Sequence, residues 1–111
     1  METQVKKGLI EVCVLAALVN ESSYGYKIVR DVSTCVDISE STLYPILKRL
    51  EAGGNVTASS AEHNGRFRKY YTLTDDGRSK INAFLDEWEE IDAIYRYVRD
   101  KTQTNEGGTT I

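Results

Sequence analysis

The segment NGRFRKYYTLTDDG, residues 64–77, gathers three cations and three aromatic side chains into its first eight positions. The cations are Arg66, Arg68 and Lys69, and no acid stands among them. A cluster of this composition has no nucleophile or general base, so its chemistry is electrostatic. Cations that meet phosphate oxygens give affinity and salt dependence but little sequence information. Charge alone leaves an ordinary solvated turn as an open alternative.

The chain as a whole is acidic. Its 111 residues carry a formal net charge of −3, which excludes a globally basic nucleic-acid binder but not a locally basic one. Binding depends on where the electrostatic field is concentrated rather than on the sum of charges. The length predicts one domain with a modest core, of the kind that an oligomer partner often completes.

Residues for catalysis or metal binding are sparse. His63 is the only histidine, and Cys13 and Cys35 form no Cys-x-x-Cys pair, so we expect no metal, no cofactor and no enzymatic activity. Both cysteines lie in apolar helical patterns and are typical of small buried residues in a reducing compartment. The apolar run at 9–19 is too short to cross a bilayer and contains Glu11, which predicts a cytoplasmic protein without membrane contact.

The first half of the chain predicts two helices. A dense apolar stretch at 5–19 indicates a helix that is buried on more than one side. The polar segment 20–23 ends it, and Ser22 or Ser23 is placed to cap a second helix. The second helix presents three core residues one turn apart: Tyr24, Ile28 and Val32.

A third helix follows the segment 37–41, which supplies a break and an N-cap. Pro45 lies about one turn in, and Gly53 with Gly54 ends the helix because glycine accepts the left-handed C-cap conformation. Its inward residues are Leu43, Ile46, Leu47 and Leu50. Its outward residues are Ser41, Thr42, Tyr44, Lys48 and Arg49.

Beyond the glycines the apolar period changes to two, which predicts a β-hairpin. Asn64 and Gly65 form the dipeptide typical of a tight hairpin turn. Tyr71 and Leu73 share one face, which we assign to the core, so Tyr70 faces outward. A hairpin alone is marginal in water and must pack on the preceding helices.

Thr74 is placed to cap a fourth helix with acids in its first turn. Apolar residues then recur at heptad spacing, which predicts a seam for a second copy of the chain. The segment 102–111 has almost nothing to bury, and we expect it to be a disordered tail. The heptad stripe comprises Ile81, Phe84, Trp88, Ile91, Tyr95 and Val98.

Three helices, a hairpin with a basic tip and a long last helix are the order of a winged helix-turn-helix with an extra helix. The predicted fold is therefore mainly α with a small β-hairpin, in which 1–73 is the DNA-binding domain and 74–101 the dimerisation helix. The third helix of such a domain enters the major groove, and the hairpin, or wing, follows the phosphates. The predicted DNA-binding residues are Tyr26, Lys27, Ser41, Thr42, Tyr44, Lys48, Arg49, Asn64, Gly65, Arg66, Arg68, Lys69 and Tyr70.

Three segments resemble the PadR family of bacterial repressors: SYGYKIVRDV at 23–32, STLYPILKRLEAGG at 41–54 and GRFRKYYTLTDDGR at 65–78. The resemblance runs from about Gly8 to Tyr95 without a large gap. It implies a homodimeric transcriptional repressor of the short type, with a single C-terminal helix. The two winged domains would then face successive major grooves of double-stranded operator DNA.

Around FLDEWEEID, residues 84–92, the chain is similar to a multidrug-sensing branch of that family. The resemblance implies a pore at the dimer centre, where Trp88 of each subunit stacks on a small aromatic effector. Asp92 matches an acid that faces cationic ligands, and Val12 matches an apolar wall. The heptad pattern alone equally allows a seam that Trp88 fills itself, and both interpretations remain open.

Two other classes of function compete with a ligand-responsive repressor. Winged helices also serve as protein–protein adaptors that bind no DNA, although an acid-free wing beside a basic third helix argues against an adaptor. An enzyme would need a base–nucleophile pair, and none is evident. In the repressor hypothesis, the effector changes the angle or spacing of the two recognition helices, and the fit to the half-sites is lost.

Overall fold

A computed structural model describes residues 3–103 of the chain. Its elements are α1 (Thr3–Ala16), β1 (Ser23–Tyr24), α2 (Gly25–Val32), α3 (Glu40–Ala52), β2 (Val56–His63), β3 (Arg66–Leu73) and α4 (Asp75–Gln103). This mainly helical architecture with a small antiparallel sheet and a long last helix confirms the predicted fold class. The chain divides into two compact units, Met1–Ile81 and Asn82–Ile111.

The core of the first unit is apolar and is built from α1, α2, α3 and the sheet. The four residues of α3 that were predicted to face inward are all buried, which confirms the helical period assigned to that segment. Tyr71 is buried as predicted, and Leu73 packs beside the core. The buried apolar residues are Ile10, Val14, Leu15, Leu18, Ile28, Val32, Leu43, Ile46, Leu47, Leu50, Val56 and Tyr71.

Both ends of α3 follow from local side-chain and glycine chemistry. Ser39 is the N-cap, and its hydroxyl accepts a hydrogen bond from the Thr42 amide at 3.4 Å. At the other end, the Asn55 amide donates to the Leu50 carbonyl and the Gly54 amide to the Glu51 carbonyl. Gly54 has a φ of 78°, so it supplies the left-handed residue that a Schellman C-cap needs.

The wing is a two-residue hairpin, as the sequence predicted. His63 pairs with Arg66 in the antiparallel register of β2 and β3, which leaves Asn64 and Gly65 as the loop. Their φ values of 53° and 79° are both positive, the requirement of a type I′ turn. The Asn-Gly dipeptide meets that requirement at low steric cost.

The sheet has a third strand that the sequence did not predict. The order is β1-β3-β2, with Ser23 opposite Tyr71 and Tyr24 opposite Tyr70. The placement of Tyr24 in the helical core was therefore wrong: Tyr24 is half-buried in an edge strand and is the N-cap residue of α2. A two-residue strand is too short to show an alternating pattern, so its partner is invisible in the sequence.

The serines before α2 do not cap it. Tyr24 occupies the N-cap position without a side-chain hydrogen bond to the helix, so the predicted cap by Ser22 or Ser23 was wrong. The Ser22 hydroxyl instead forms a hydrogen bond with the Thr72 hydroxyl at 2.6 Å. Ser23 is buried, and its hydroxyl has no partner in the described part of the chain. Ser23 thus belongs to the sheet, and Ser22 contacts the sheet from just before β1.

The start of α4 is fixed by a cap and a glycine. The Thr74 hydroxyl accepts from the Gly77 amide at 3.0 Å and donates to the Gly54 carbonyl at 2.7 Å, which confirms the predicted cap. Gly77 is buried, and a Cβ at this position would meet the carbonyl oxygen of Asn55. Gly77 is therefore required by close packing of α4 on the backbone that follows α3.

The rest of α4 exposes most of the predicted heptad stripe. Ile81 differs, because it packs beside the core of the first unit. Phe84 is half-buried, and α4 continues through Gln103, two residues beyond the predicted end. The remainder of the predicted tail, 104–111, lies outside the described residues. The other four stripe residues, Trp88, Ile91, Tyr95 and Val98, are exposed.

Candidate nucleic-acid interface

The outward face of α3 carries the polar residues that the sequence assigned to it. The Ser39 hydroxyl that caps the helix also lies 2.9 Å from the Ser41 hydroxyl and 3.3 Å from that of Thr42. A short row of hydroxyls therefore marks the start of the helix. Lys48 follows about two turns later and is exposed. Hydroxyl and ammonium groups on one helix are donors for base edges or phosphates.

Arg49 forms an ion pair with another helix. Its Nε and Nη2 atoms donate to the Glu11 Oε2 atom at 3.2 and 3.0 Å. Glu11 also binds Lys80 at 3.4 Å, so one carboxylate of α1 neutralises cations from α3 and α4. Arg49 thus connects α3 to α1. Its exposure was predicted correctly, but the sequence could not reveal a partner 38 positions away.

The wing keeps its cations unpaired. Among the described residues, no carboxylate forms an ion pair with Arg66, Arg68 or Lys69. Phe67 is 80% exposed and stands opposite Glu62 in the hairpin register. Arg66 and Lys69 are exposed and Arg68 is half-buried, so positive charge is concentrated at the start of β3.

Arg68 is held against the ring of Tyr24. Its guanidinium carbon lies 4.0 Å from the centre of that ring, and the ring of Tyr70 meets Tyr24 edge to face at a centroid distance of 5.7 Å. Tyr70 faces away from the core as predicted, but it packs on β1 and is half-buried. Tyr24 is a residue of this interface that the sequence reasoning missed, because it was assigned to the core.

A cleft of about 630 Å³ opens between α2, α3 and the wing. It joins four predicted DNA-binding residues from three elements, namely Tyr26, Tyr44, Arg68 and Lys69. It also contains Arg30, which the sequence reasoning missed although it lies one helical turn after Tyr26. The full lining is Tyr24, Gly25, Tyr26, Arg30, Glu40, Tyr44, Phe67, Arg68, Lys69 and Tyr71.

Gly25 sets the position of Tyr44 inside this cleft. A Cβ built on Gly25 would overlap the hydroxyl and ring of Tyr44. The Tyr44 side chain of α3 therefore packs directly on the start of α2. Burial, followed by the nearby charge of Glu40 and by Tyr71, raises the pKa of Tyr44 above its ordinary value. A tyrosine hydroxyl is already neutral at physiological pH, and the raised pKa keeps that of Tyr44 a hydrogen-bond donor.

Lys27 on α2 is already neutralised. Its ammonium lies 3.4 Å from Asp31 and 3.9 Å from Glu21. Tyr26 beside it is exposed and lines the cleft. The two residues predicted from this helix therefore differ, because Tyr26 is available for a ligand while Lys27 shares its charge with two acids.

The residues predicted to bind an effector lie in separate units. Val12 is half-buried on α1. On α4, the Trp88 ring stacks on Phe84 with a centroid distance of 5.8 Å and an interplanar angle of 22°. Asp92 accepts a hydrogen bond from the Arg96 Nε atom at 2.8 Å, so its charge has a partner one turn away.

Other kinds of site have no support in the part of the chain that the structure describes. Residues 3–103 contain no group of three metal-ligating side chains that could share an ion. None of the helices within that range has the combination of length and apolar character that a bilayer span requires.

The fold and the cleft together define the winged-helix class of protein. The model of the transcriptional regulator PadR-like family matches residues 14–83. The chain belongs to this family of transcriptional regulators.

Solved structures agree with that assignment. A Streptococcus transcriptional regulator is 28% identical with a TM-score of 0.78, and the match covers 88% of this chain and 99% of that one. The protein smu.1704 of Streptococcus mutans is 42% identical with a TM-score of 0.72, covering 81% and 89%. Bacillus subtilis PadR, solved in complex with operator DNA, is 26% identical with a TM-score of 0.65, covering 69% of this chain and 46% of that one.

Proposed function

We propose that this chain is a dimeric transcriptional repressor that reads operator DNA with α3 and holds the flanking phosphates with its wing. The observation that carries the proposal is the cleft between α2, α3 and β3, where aromatic and cationic residues from three elements converge. The operator complex of the Bacillus subtilis relative supports the same use of the fold.

The wing supplies affinity in this proposal. Arg66, Arg68 and Lys69 have no ion-pair partner in the described range, so their charges are free to replace the counterions of a phosphate backbone. The turn residues Asn64 and Gly65 let the strand tip come close to the duplex because neither is bulky. Phosphate contacts of this kind position a protein without reading sequence.

The start of α3 supplies sequence preference. Ser41, Thr42 and Tyr44 are exposed there and offer hydroxyl donors, while Lys48 extends the same surface. A tyrosine ring also gives apolar contact to a thymine methyl group. Arg49 is left out of this set because Glu11 binds it. Tyr26 and Arg30 complete the surface from the side of α2.

Dimerisation in this proposal uses the exposed stripe of α4. Trp88, Ile91, Tyr95 and Val98 recur at spacings of three and four and are all exposed in the single chain. A stripe of this period is typical of a helix that packs on a second helix. A twofold dimer would present two α3 helices to major grooves one helical turn, about 34 Å, apart.

The same stripe is the proposed site of a small aromatic effector. Trp88 and Phe84 already stack on one another and offer a flat aromatic surface. Asp92 follows one turn later, and its contact with Arg96 is exposed and weak enough to exchange for a cationic ligand.

Trp88 is the only tryptophan of the chain, so its fluorescence reports ligand binding directly. Quenching by a planar aromatic cation that Asp92→Asn weakens supports this site, whereas quenching equal in both proteins contradicts the role of Asp92.

The proposed function is tested by binding to the DNA immediately upstream of the chain's own coding sequence, with shuffled DNA of equal length and composition as the reference. We expect the upstream DNA to bind at least tenfold more tightly at physiological salt. Tyr44→Ala and Lys48→Ala should reduce that preference, and Lys101→Ala, which lies outside both surfaces, is the matched control. Equal and weak binding to both DNAs under all salt conditions would favour the protein–protein adaptor instead.

A further inference from the structure

Cys13 and Cys35 come together from different elements of the first unit. Cys13 lies in the middle of α1, half-buried against the core, and Cys35 is exposed in the turn between α2 and α3. Two shallow apolar recesses adjoin this point, one beside Ile10 and Val36 and the other beside Ala17 and Val32. Both cysteines line each recess. The two thiols are therefore neighbours at the boundary between the recesses.

The two thiols differ in exposure. Burial, reinforced by the adjacent Cys35 thiol, raises the pKa of Cys13, so Cys13 stays protonated at neutral pH. Cys35 faces the solvent, so the expectation that it is buried was wrong. Because oxidants react with the accessible thiolate, Cys35 is the thiol that meets an oxidant first, and Cys13 is the second thiol beside it.

We propose that Cys13 and Cys35 form a redox-active dithiol that a hydroperoxide closes into an intrachain disulfide. The Cys35 thiolate attacks one peroxide oxygen, the O–O bond breaks, and Cys35 becomes a sulfenic acid while the alcohol or water leaves. Cys13 then loses its proton and attacks the Cys35 sulfur, and the S–O bond breaks to release water. The two thiols together lose two electrons, and one hydroperoxide gains them.

The disulfide would act on the recognition helix through the turn that carries Cys35. The amides of Cys35 and Val36 both donate to the Val32 carbonyl at 2.9 Å, so this turn is tied to the end of α2 and leads into the cap of α3. A disulfide is only about 2.05 Å long, shorter than a contact between two thiols, and it draws the turn toward α1. Resting on the proposed function, we expect the oxidised protein to bind DNA several-fold more weakly.

The disulfide itself is tested by mass spectrometry of the full chain after hydrogen peroxide and then alkylation. The wild type should lose two hydrogens, resist alkylation at both cysteines and remain a single chain on a non-reducing gel. In Cys13→Ser, the Cys35 sulfenic acid should persist and be trapped by dimedone, whereas Cys35→Ser should react far more slowly. Closure should accelerate as the pH rises, because Cys13 must lose its proton.

Three results would overturn the dithiol: both thiols remain open to alkylation after peroxide, the cross-link joins two chains, or Cys13→Ser traps no sulfenic acid.

The link to DNA is tested separately by the affinity of reduced protein, oxidised protein and peroxide-treated Cys35→Ser. The link is supported if only the oxidised wild type binds DNA more weakly and a thiol reductant restores its affinity. If the fully oxidised protein binds DNA as tightly as the reduced protein, the link between the disulfide and DNA binding is refuted. Absence of DNA binding in the reduced protein refutes the proposed function, while the mass measurement still decides the dithiol.

Discussion

The guanidinium of Arg68 in the wing lies 4.0 Å from the centre of the Tyr24 ring in β1. This contact joins the hairpin to the residue that immediately precedes α2, so the orientation of the wing depends on a strand of only two residues. A cation over an aromatic ring contributes about 0.5–1 kcal/mol at an exposed site. The wing cations are therefore presented by a small scaffold rather than by the hairpin alone.

Removal of the Tyr24 ring should loosen the wing. Tyr24→Ala deletes the surface on which Arg68 and Tyr70 pack, so we expect DNA binding about two- to fivefold weaker, the equivalent of one exposed cation–π contact. Tyr24→Phe keeps the ring and should bind like the wild type. Fluorescence anisotropy with labelled DNA measures both variants. Equal losses in the two variants would mean that the hydroxyl, not the ring, is important.

Gly25→Ala should displace Tyr44. The new Cβ overlaps the tyrosine ring, so the side chain or α2 must shift, at a cost of about 1–3 kcal/mol in unfolding free energy. In a Tyr44→Ala background the obstacle is absent, and the same substitution should cost much less. A double-mutant cycle of denaturant unfolding and DNA affinity measures the coupling. Additive effects would show that Gly25 and Tyr44 act independently.

Arg49→Ala and Lys48→Ala should have different effects although the residues are adjacent. Arg49 binds Glu11, so its loss should lower stability by up to about 1 kcal/mol and leave the salt dependence of DNA binding unchanged. Lys48 has no ion-pair partner in the described range, so its loss should leave stability unchanged and weaken DNA binding. Thermal unfolding and a salt titration distinguish the two. A reduced salt slope in Arg49→Ala would show that Arg49 contacts DNA phosphates.

Two glycines in helices should respond oppositely to alanine. At Gly77 a Cβ meets the Asn55 carbonyl, and we expect Gly77→Ala to destabilise the fold by about 1–3 kcal/mol. At Gly8 a Cβ meets nothing nearby, so Gly8→Ala should be neutral or stabilising by up to about 1 kcal/mol through helix propensity. Urea unfolding provides the comparison, and a neutral Gly77→Ala would contradict the close packing at the start of α4.

Features encoded by a few adjacent residues could be predicted from the sequence. Ser39, Gly54 and the Asn64-Gly65 turn each act through their own backbone or a neighbour within a few positions, so their chemistry is visible in the order of residues. The buried face of α3 was equally predictable, because four apolar residues repeat at the helical period.

Features that depend on distant pairing could not be predicted. The strand of Ser23 and Tyr24 exists only because β3 passes beside it, and the partner of Arg49 is a glutamate on α1, 38 positions away. The contact between Gly25 and Tyr44 likewise joins two helices. For the same reason the sequence identified the cations of the wing but not the ring that holds Arg68.

The proposed contacts of the wing cations with DNA phosphates are tested by the salt dependence of DNA binding. The logarithm of affinity should be measured against the logarithm of salt concentration for the wild type, Arg66→Ala, Lys69→Ala and Lys101→Ala. Each wing substitution should reduce the magnitude of the slope by about one and weaken binding to all DNA sequences alike, while Lys101→Ala follows the wild type. Wild-type slopes in both wing variants would contradict the proposed phosphate contacts of the wing.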